Sequence, residues 1–162
     1  MSIFFSVREV VEMAISTEKS GQAFYQTASK QTREKSLEEL FQYLAEEEGK
    51  HLKTFQGFYN TIKKEAEATP YSWEEAKLYL KALVDSRFFT GPDQAINLAK
   101  EAKSELEAVN SAINFEKDTL LFFYEMLEVV KPQDRDLIKK IIGEEKKHIR
   151  RLSTTKGKLT QP

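Results

Sequence analysis

The sequence predicts an all-α protein: an antiparallel four-helix bundle whose halves are joined by a long crossover connection containing a short extra helix. Three observations lead to this fold class. Glycine and proline are scarce, at six and four of 162 residues. The prolines, at positions 70, 92, 132 and 162, fall where helices would begin or end. Between them, apolar residues recur at alternating steps of three and four, as the helices of a bundle require.

The first half of the chain is predicted to form a helical hairpin. Its first helix covers about 6–31, up to a polar stretch that ends at Arg33. The second helix covers about 36–67 and begins with a capping box, Ser36-x-x-Glu39. Both helices belong to one predicted domain that spans residues 1–162, a length that suits a single core.

The crossover and the second hairpin follow. Another capping box, Ser72-x-x-Glu75, opens the short crossover helix, which runs to about Val84. The third bundle helix covers about 92–131, with Pro92 in its first turn, and the fourth covers about 133–155. Residues 154–162 are polar and are expected to fray.

Composition narrows the class of function. The formal net charge is −1 with both signs interspersed, so neither nucleic acid nor an anionic membrane is an expected partner. The absence of cysteine excludes disulfides, zinc ribbons and rubredoxin-type iron. The start of the chain lacks the basic and long apolar regions of a signal peptide, and no segment is apolar enough to span a bilayer. A cytoplasmic location is therefore expected.

Six ionisable residues interrupt the apolar stripes of the four bundle helices. An ionised carboxylate in an apolar core costs several kcal/mol unless it is paired, and no Lys or Arg lies on these stripes. Two divalent metal ions would supply +4 against the four carboxylates, with two neutral imidazoles as further ligands. Glu-x-x-His places both side chains on one helix face, an arrangement typical of di-iron and di-manganese bundles. The predicted metal ligands are Glu18, Glu48, His51, Glu116, Glu145 and His148.

The two halves of the chain also resemble each other. Ala14-Ile15-x-x-Glu18-Lys19 recurs as Ala112-Ile113-x-x-Glu116-Lys117 at an offset of 98. Glu47-Glu48-x-Lys50-His51 recurs as Glu144-Glu145-x-Lys147-His148 at an offset of 97. One hairpin copied and joined by the crossover would give a metal site with a pseudo-twofold axis.

This pattern resembles the ferritin-like superfamily of di-iron carboxylate proteins, and within it the rubrerythrin-like proteins. The resemblance covers about residues 6–152 and rests on Glu, Glu-x-x-His, Glu and Glu-x-x-His on successive helices. It implies two iron ions per chain, bridged by Glu48 and Glu145 and each capped by one histidine. Glu18 and Glu116 would be terminal ligands.

Two departures from the family pattern bear on function. Rubrerythrins usually carry an extra Glu three residues from the ligand on the third helix, whereas the flanking positions here are Ile113 and Thr119. They often add a rubredoxin-like domain with four cysteines, which this sequence does not contain. The resemblance therefore implies a separate electron donor, or ferrous iron itself as the source of electrons.

Several residues near the predicted ligands have more than one interpretation. Tyr25 lies one heptad after Glu18 and either donates a hydrogen bond near the metals, forms a radical, or only packs. Gly21 and Gly49 each cost about 1 kcal/mol within a helix relative to Ala, and make room for a ligand or a neighbouring helix. The remaining acids of these runs, Glu46, Glu47 and Glu144, are interpreted as solvated surface.

The first functional hypothesis is an oxidoreductase of the rubrerythrin-like peroxidase or ferroxidase type. It would oxidise ferrous iron, or reduce hydrogen peroxide or oxygen, in defence against oxidative stress. A di-manganese, catalase-like centre is a close variant because the same ligands suit manganese. The alternative is a ferritin-like protein that binds and stores iron without peroxide turnover. A homodimer is expected in the first case and a cage of many subunits in the second.

Overall fold

The computed structural model describes residues 7–62, Leu78, Tyr79, Ala82 and 91–162. This part of the chain forms the α-helices α1 (Val7–Gln31), α2 (Lys35–Thr61), α3 (Pro92–Glu101), α4 (Glu105–Val129) and α5 (Arg135–Thr160), with a 3-10 turn at Pro132–Asp134. The described ranges contain no strand, which agrees with the predicted all-α class. None of their helices combines the length and apolarity needed to cross a membrane.

The first hairpin forms as predicted, but its cap and its end differ from the prediction. The N-cap of α2 is Glu34, whose side chain accepts hydrogen bonds from the backbone N–H groups of Ser36 and Leu37, so the Ser36 capping box is wrong. A carboxylate at this place satisfies amides that have no partner within the helix. The helix ends at Thr61 rather than near 67, because Ile62 takes an extended backbone conformation.

A carboxylate of the second half holds the turn of the first hairpin. Oε1 of Glu105, in the first turn of α4, accepts hydrogen bonds from Thr32 Oγ1 at 2.8 Å, Arg33 N at 3.2 Å and Glu34 N at 3.1 Å. These three donors follow the last residue of α1, and Glu34 N also donates to Thr32 Oγ1 at 3.3 Å. The contact fixes the two hairpins relative to each other at this end of the bundle.

The predicted helix over 92–131 is wrong as a single element, because it divides into α3 and α4. Ala102 leaves helical geometry, and Ser104 is the N-cap of α4, accepting a hydrogen bond from Glu107 N at 3.1 Å. Glu107 reaches back to accept from Lys103 N at 3.3 Å, which completes a reciprocal cap. At its other end α3 begins after Gly91, whose φ of 115° favours glycine. The short helix α3 packs on α1 and buries Ala95 and Ala99.

The second hairpin joins α4 to α5 through the 3-10 turn. Arg135 at the start of α5 donates from Nε to the carbonyl of Leu127 at 3.1 Å, which satisfies an acceptor in the last turn of α4. The last helix is longer than the predicted 133–155, since it continues to Thr160. The expectation that residues 154–162 fray is therefore wrong. Leu152 is fully buried within this helix and Leu159 packs against the same core.

The predicted crossover lies mostly outside the described residues. Leu78, Tyr79 and Ala82 are helical, and they fall within the predicted crossover helix. Its capping box at Ser72 lies outside the described residues, as do residues 63–70 at the predicted end of the second helix.

Within the described ranges, the buried apolar residues form two clusters. One lies towards the start of α1 and contains Val11, Phe55, Phe123, Met126 and Ile138, among others. The other lies towards the end of α1 and is built around Phe24, Tyr25, Phe41, Val109 and Leu152. On every bundle helix the predicted ionisable residues lie in sequence between the members of these two clusters. The fold thus places a polar layer in the middle of an apolar bundle.

Candidate metal centre

The structure brings all six sequence-predicted site residues together in that layer. Glu18 comes from α1, Glu116 from α4, and each of α2 and α5 supplies a Glu-x-x-His pair. Their helical spacing on core-facing stripes explains why they converge. All are buried, with at most 3% of any residue exposed: Glu18, Glu48, His51, Glu116, Glu145 and His148.

One half of the cluster is organised around His51. Its Nδ1 lies 3.0 Å from Oε1 of Glu145 and 3.7 Å from Oε2 of Glu18. Together with Glu48, these residues offer four ligand atoms that all lie within 4.8 Å of one another. We call the group of Glu18, Glu48, His51 and Glu145 the first half-site.

The other half is organised in the same way around His148. Its Nδ1 lies 2.8 Å from Oε2 of Glu145, 3.3 Å from Oε1 of Glu48 and 3.6 Å from Oε1 of Glu116. These residues again offer four ligand atoms within 4.8 Å of one another. The second half-site therefore consists of Glu48, Glu116, Glu145 and His148.

Glu48 and Glu145 belong to both half-sites. Glu145 directs one carboxylate oxygen at each histidine. The two imidazole rings stack with their centroids 5.6 Å apart and their planes 21° from parallel. The cluster thus has the pseudo-twofold form that the internal repeat predicts, with two carboxylates shared between two positions.

Burial and crowding of like charges perturb the ionisation of the cluster. Burial, followed by the charge of Glu48, raises the pKa of Glu18 well above its ordinary value. Burial and the charge of Glu145 raise the pKa of Glu116 to about 7. Burial alone would lower the pKa of His51, but the neighbouring carboxylates of Glu145 and Glu18 outweigh this and raise it to about 12. Without a metal, the cluster therefore retains protons to balance its carboxylates.

The polar atoms of this layer fit metal ions better than they fit each other. Although the histidine nitrogens and carboxylate oxygens lie close together, most of them form no hydrogen bond with any described residue. Buried polar atoms without partners are rare in folded proteins and require an explanation. The orphaned atoms are both carboxylate oxygens of Glu18, Glu48 and Glu145, Oε2 of Glu116, Nδ1 of His51, and both ring nitrogens of His148. Four carboxylates and two imidazoles form a donor set compatible with a dinuclear site.

The residues around the cluster include two with hydroxyl groups. Tyr25 is fully buried and donates a hydrogen bond from its phenolic hydroxyl to Oε1 of Glu116. Of the three interpretations of Tyr25 given above, this contact corresponds to the hydrogen-bond donor. Thr119 is also fully buried, and its Oγ1 has no hydrogen-bond partner among the described residues. It is one of the two positions, with Ile113, at which the resemblance led us to look for a further Glu, and it contributes a neutral hydroxyl instead of a charge.

The interpretation of Glu144 as solvated surface is wrong. Its side chain is only 30% exposed, and its Oε2 lies 2.8 Å from Nε2 of His51. The sequence feature that could have identified Glu144 is its position immediately before Glu145 in the second copy of the Glu-Glu-x-Lys-His repeat. The same interpretation is wrong for Glu47, whose side chain is 15% exposed and pairs with Lys50 at 2.5 Å. Glu46, by contrast, is exposed, as predicted.

Comparison with known proteins agrees with this geometry. The sequence model of the family described as Rubrerythrin matches residues 9–156. A solved structure from Thermotoga maritima, described as that of a ferritin-like diiron-carboxylate protein, superposes with a TM-score of 0.75 at 23% sequence identity. The alignment covers 99% of this chain and 100% of that one, which confirms the predicted ferritin-like fold. No curated protein sequence matches the chain significantly.

Proposed function

This chain belongs to the rubrerythrin family, and from that membership and the geometry of the cluster we propose that it binds two iron ions and uses them in redox chemistry. The oxidant is hydrogen peroxide or oxygen, and the electrons come from a separate donor or from ferrous iron. The proposed ligands are Glu18, Glu48, His51, Glu116, Glu145 and His148.

One observation carries the proposal: two groups of four buried ligand atoms overlap in Glu48 and Glu145. A mononuclear site would not need a second imidazole and a second terminal carboxylate arranged around the same shared pair. Four carboxylates also match the charge of two divalent ions, whereas an apolar core would strongly disfavour four unpaired carboxylates. Sharing Glu48 and Glu145 is the arrangement expected of bridging carboxylates.

When bound, two ferrous ions would supply the two electrons that reduce hydrogen peroxide and two protons to two molecules of water. The chain's own residues set the conditions for that reaction. The apolar clusters on both sides exclude water from the layer. Tyr25 holds the carboxylate of Glu116 through its hydrogen bond, and Glu145 presents one oxygen to each half-site.

The proposal is tested with protein purified without a histidine tag. Metal content is measured by plasma mass spectrometry, and the metal-free protein is then titrated anaerobically with ferrous iron before a pulse of peroxide or oxygen. About two irons per chain, oxidised rapidly, are expected. Absence of bound metal and of iron uptake would contradict the proposal. Comparing the oxidation rates with the two oxidants distinguishes peroxidase from ferroxidase behaviour.

A di-manganese centre is the second candidate, because the donor set suits manganese as well as iron. All proposed ligand atoms are carboxylate oxygens or imidazole nitrogens, and manganese accepts both. Manganese in the purified protein, together with oxygen release from peroxide, would support this candidate. Storage remains a third outcome of the same experiment: iron uptake into large assemblies, seen by light scattering, without peroxide turnover.

A further inference from the structure

The ring of His51 is held from both sides. Its Nδ1 faces the cluster, 3.0 Å from Glu145, while its Nε2 faces outwards and lies 2.8 Å from Oε2 of Glu144. Glu144 and Glu145 are adjacent on α5, so one helix contacts both nitrogens of a histidine that belongs to α2. Only 3% of the His51 side chain is exposed.

This geometry points to Glu144 as a positioning residue for the first half-site, an inference that rests on the proposed metal function. An ionised carboxylate only accepts hydrogen bonds, so the proton of the neutral imidazole must lie on Nε2. The lone pair of Nδ1 is then directed towards Glu18, Glu48 and Glu145. An acceptor of this kind fixes both the tautomer and the orientation of a ligating histidine.

The second half-site lacks the equivalent contact. Glu47 occupies the position that corresponds to Glu144 at the repeat offset of 97, but it pairs with Lys50 of its own helix at 2.5 Å. Nε2 of His148 has no hydrogen-bond acceptor among the described residues. The ring of Tyr43 lies beside it instead, with the two ring planes 84° apart and the centroids 6.5 Å apart. The repeat is therefore symmetric in its ligands and asymmetric in what holds them.

A second contact adds to the asymmetry. In the second half-site, Oε1 of Glu116 already accepts the hydrogen bond of Tyr25. This is the oxygen that lies 3.6 Å from Nδ1 of His148. In the first half-site, Glu18 has no hydrogen-bond partner on either oxygen among the described residues. Each half-site therefore has one ligand held by a different outer residue: His51 by Glu144, and Glu116 by Tyr25.

The test is a zinc titration of the metal-free full-length chain against a chromophoric chelator. Glu144→Ala is expected to weaken one of the two zinc affinities, that of the first half-site, by about 10- to 100-fold, the effect typical of losing a partner of a ligating histidine. Glu144→Gln retains an acceptor oxygen and should lose less than about tenfold. Glu47→Ala is the matched comparison: it removes the pair with Lys50 and a charge that acts on both histidines, but no hydrogen-bond acceptor of a ring nitrogen, so it should weaken zinc binding by less than Glu144→Ala does.

A spectroscopic readout separates positioning from a general structural effect. The chain has two histidines, so selective ¹⁵N labelling gives two imidazole spin systems. In the zinc-loaded protein, one Nε2–H signal should exchange slowly with solvent, and Glu144→Ala should accelerate the exchange of that signal alone. Thermal unfolding of the metal-free variants establishes that each is folded.

The outcomes separate this inference from the proposed function. If the wild type binds two zinc ions and Glu144→Ala binds them equally well, with unchanged imidazole exchange, Glu144 is not a positioning residue and the metal site stands. If the wild type binds neither zinc nor iron, both the proposed function and this inference are wrong.

Discussion

Tyr25 on α1 donates its phenolic hydrogen bond to the carboxylate of Glu116 on α4, a residue 91 positions later in the chain. The ring of Tyr25 lies in the apolar cluster, edge-on to Phe24 and Phe115 and 5.9 Å from Phe41 between centroids. The packing of its ring against these aromatic side chains therefore positions its hydroxyl in the ionisable layer. Burial and the charge of Glu116 raise the pKa of this tyrosine well above its ordinary value, so it remains a donor.

Removing that hydroxyl with Tyr25→Phe should destabilise the metal-free protein by about 1–3 kcal/mol, the typical cost of leaving a buried acceptor unpaired. The aromatic ring remains, so its packing with the neighbouring phenylalanines is largely retained. Urea denaturation of the metal-free protein measures the effect. Tyr124→Phe is the control, because Tyr124 is 43% exposed and should change stability little. Equal stabilities of the two variants would contradict a role for the hydrogen bond.

The shared position of Glu145 predicts how metal stoichiometry responds to substitution. Glu18→Ala and Glu116→Ala each remove a ligand from one half-site, so each variant should retain about one metal per chain. Glu145→Ala removes a ligand from both and should retain none at concentrations that saturate the wild type. Glu46→Ala, an exposed acid on α2, is the control and should still bind about two. Two tightly bound metals in Glu145→Ala would show that this carboxylate does not bridge.

The convergence of the six residues could be predicted because it depends on periodicity, which is a property of sequence. Glu18 and Glu116 lie on the same stripes as buried apolar residues, and Glu-x-x-His places two groups on one helix face wherever the helix packs. The internal repeat further predicted that the two halves contribute equivalent ligands to a pseudo-twofold site. Their role as metal ligands stays a prediction that the experiments above address.

Contacts between helices could not be predicted in the same way. Whether Glu144 reaches His51 depends on the offset between α5 and α2, and the identical motif in the first half leads Glu47 to Lys50 instead. The division of α3 from α4 was missed for another reason. Apolar periodicity continues through Ala102, so the sequence was interpreted as one helix although Ser104-x-x-Glu107 matches a capping box.

Gly21 illustrates a close approach at the cluster and leads to another prediction. A Cβ atom at this position would lie 2.8 Å from Cε1 of Phe115 and 3.2 Å from Oε2 of Glu48. Gly21→Ala should therefore destabilise the protein by about 1–3 kcal/mol through overpacking, despite the better helix propensity of Ala. Because Glu48 is displaced as well, zinc affinity should fall in the same variant.

A second helical glycine provides the control. A Cβ atom at Gly143 on α5 would meet no atom of the described residues within 4 Å, apart from its own helix backbone. Gly143→Ala should thus stabilise the protein by about 0.5–1 kcal/mol, the usual gain in helix propensity. Urea denaturation of the two metal-free variants measures both effects. The interpretation of Gly21 as space for Phe115 and Glu48 fails if both substitutions stabilise the protein equally.

The raised pKa values predict that the metal-free protein loses stability as pH increases. The pKa of Glu116 rises from 4.5 to about 7 through burial and the charge of Glu145. That of His51 rises from 6.5 to about 12, because the neighbouring carboxylates of Glu145 and Glu18 outweigh its burial. Each group binds more protons in the folded than in the unfolded state once pH exceeds its unfolded value, so the free energy of unfolding decreases with pH.

The decrease should occur from about pH 4.5 to 7 for Glu116 and should continue above about pH 6.5 for His51. Urea denaturation of metal-free protein at pH 5.5 and pH 8 is expected to give the lower free energy of unfolding at pH 8. Metal ions replace these protons, so the stabilisation by added zinc should instead be larger at pH 8. In the metal-free variant Glu116→Gln, which cannot titrate at this position, the decrease between the two pH values should be smaller. A metal-free protein whose stability increases between pH 5.5 and pH 8 would show that the cluster does not retain protons.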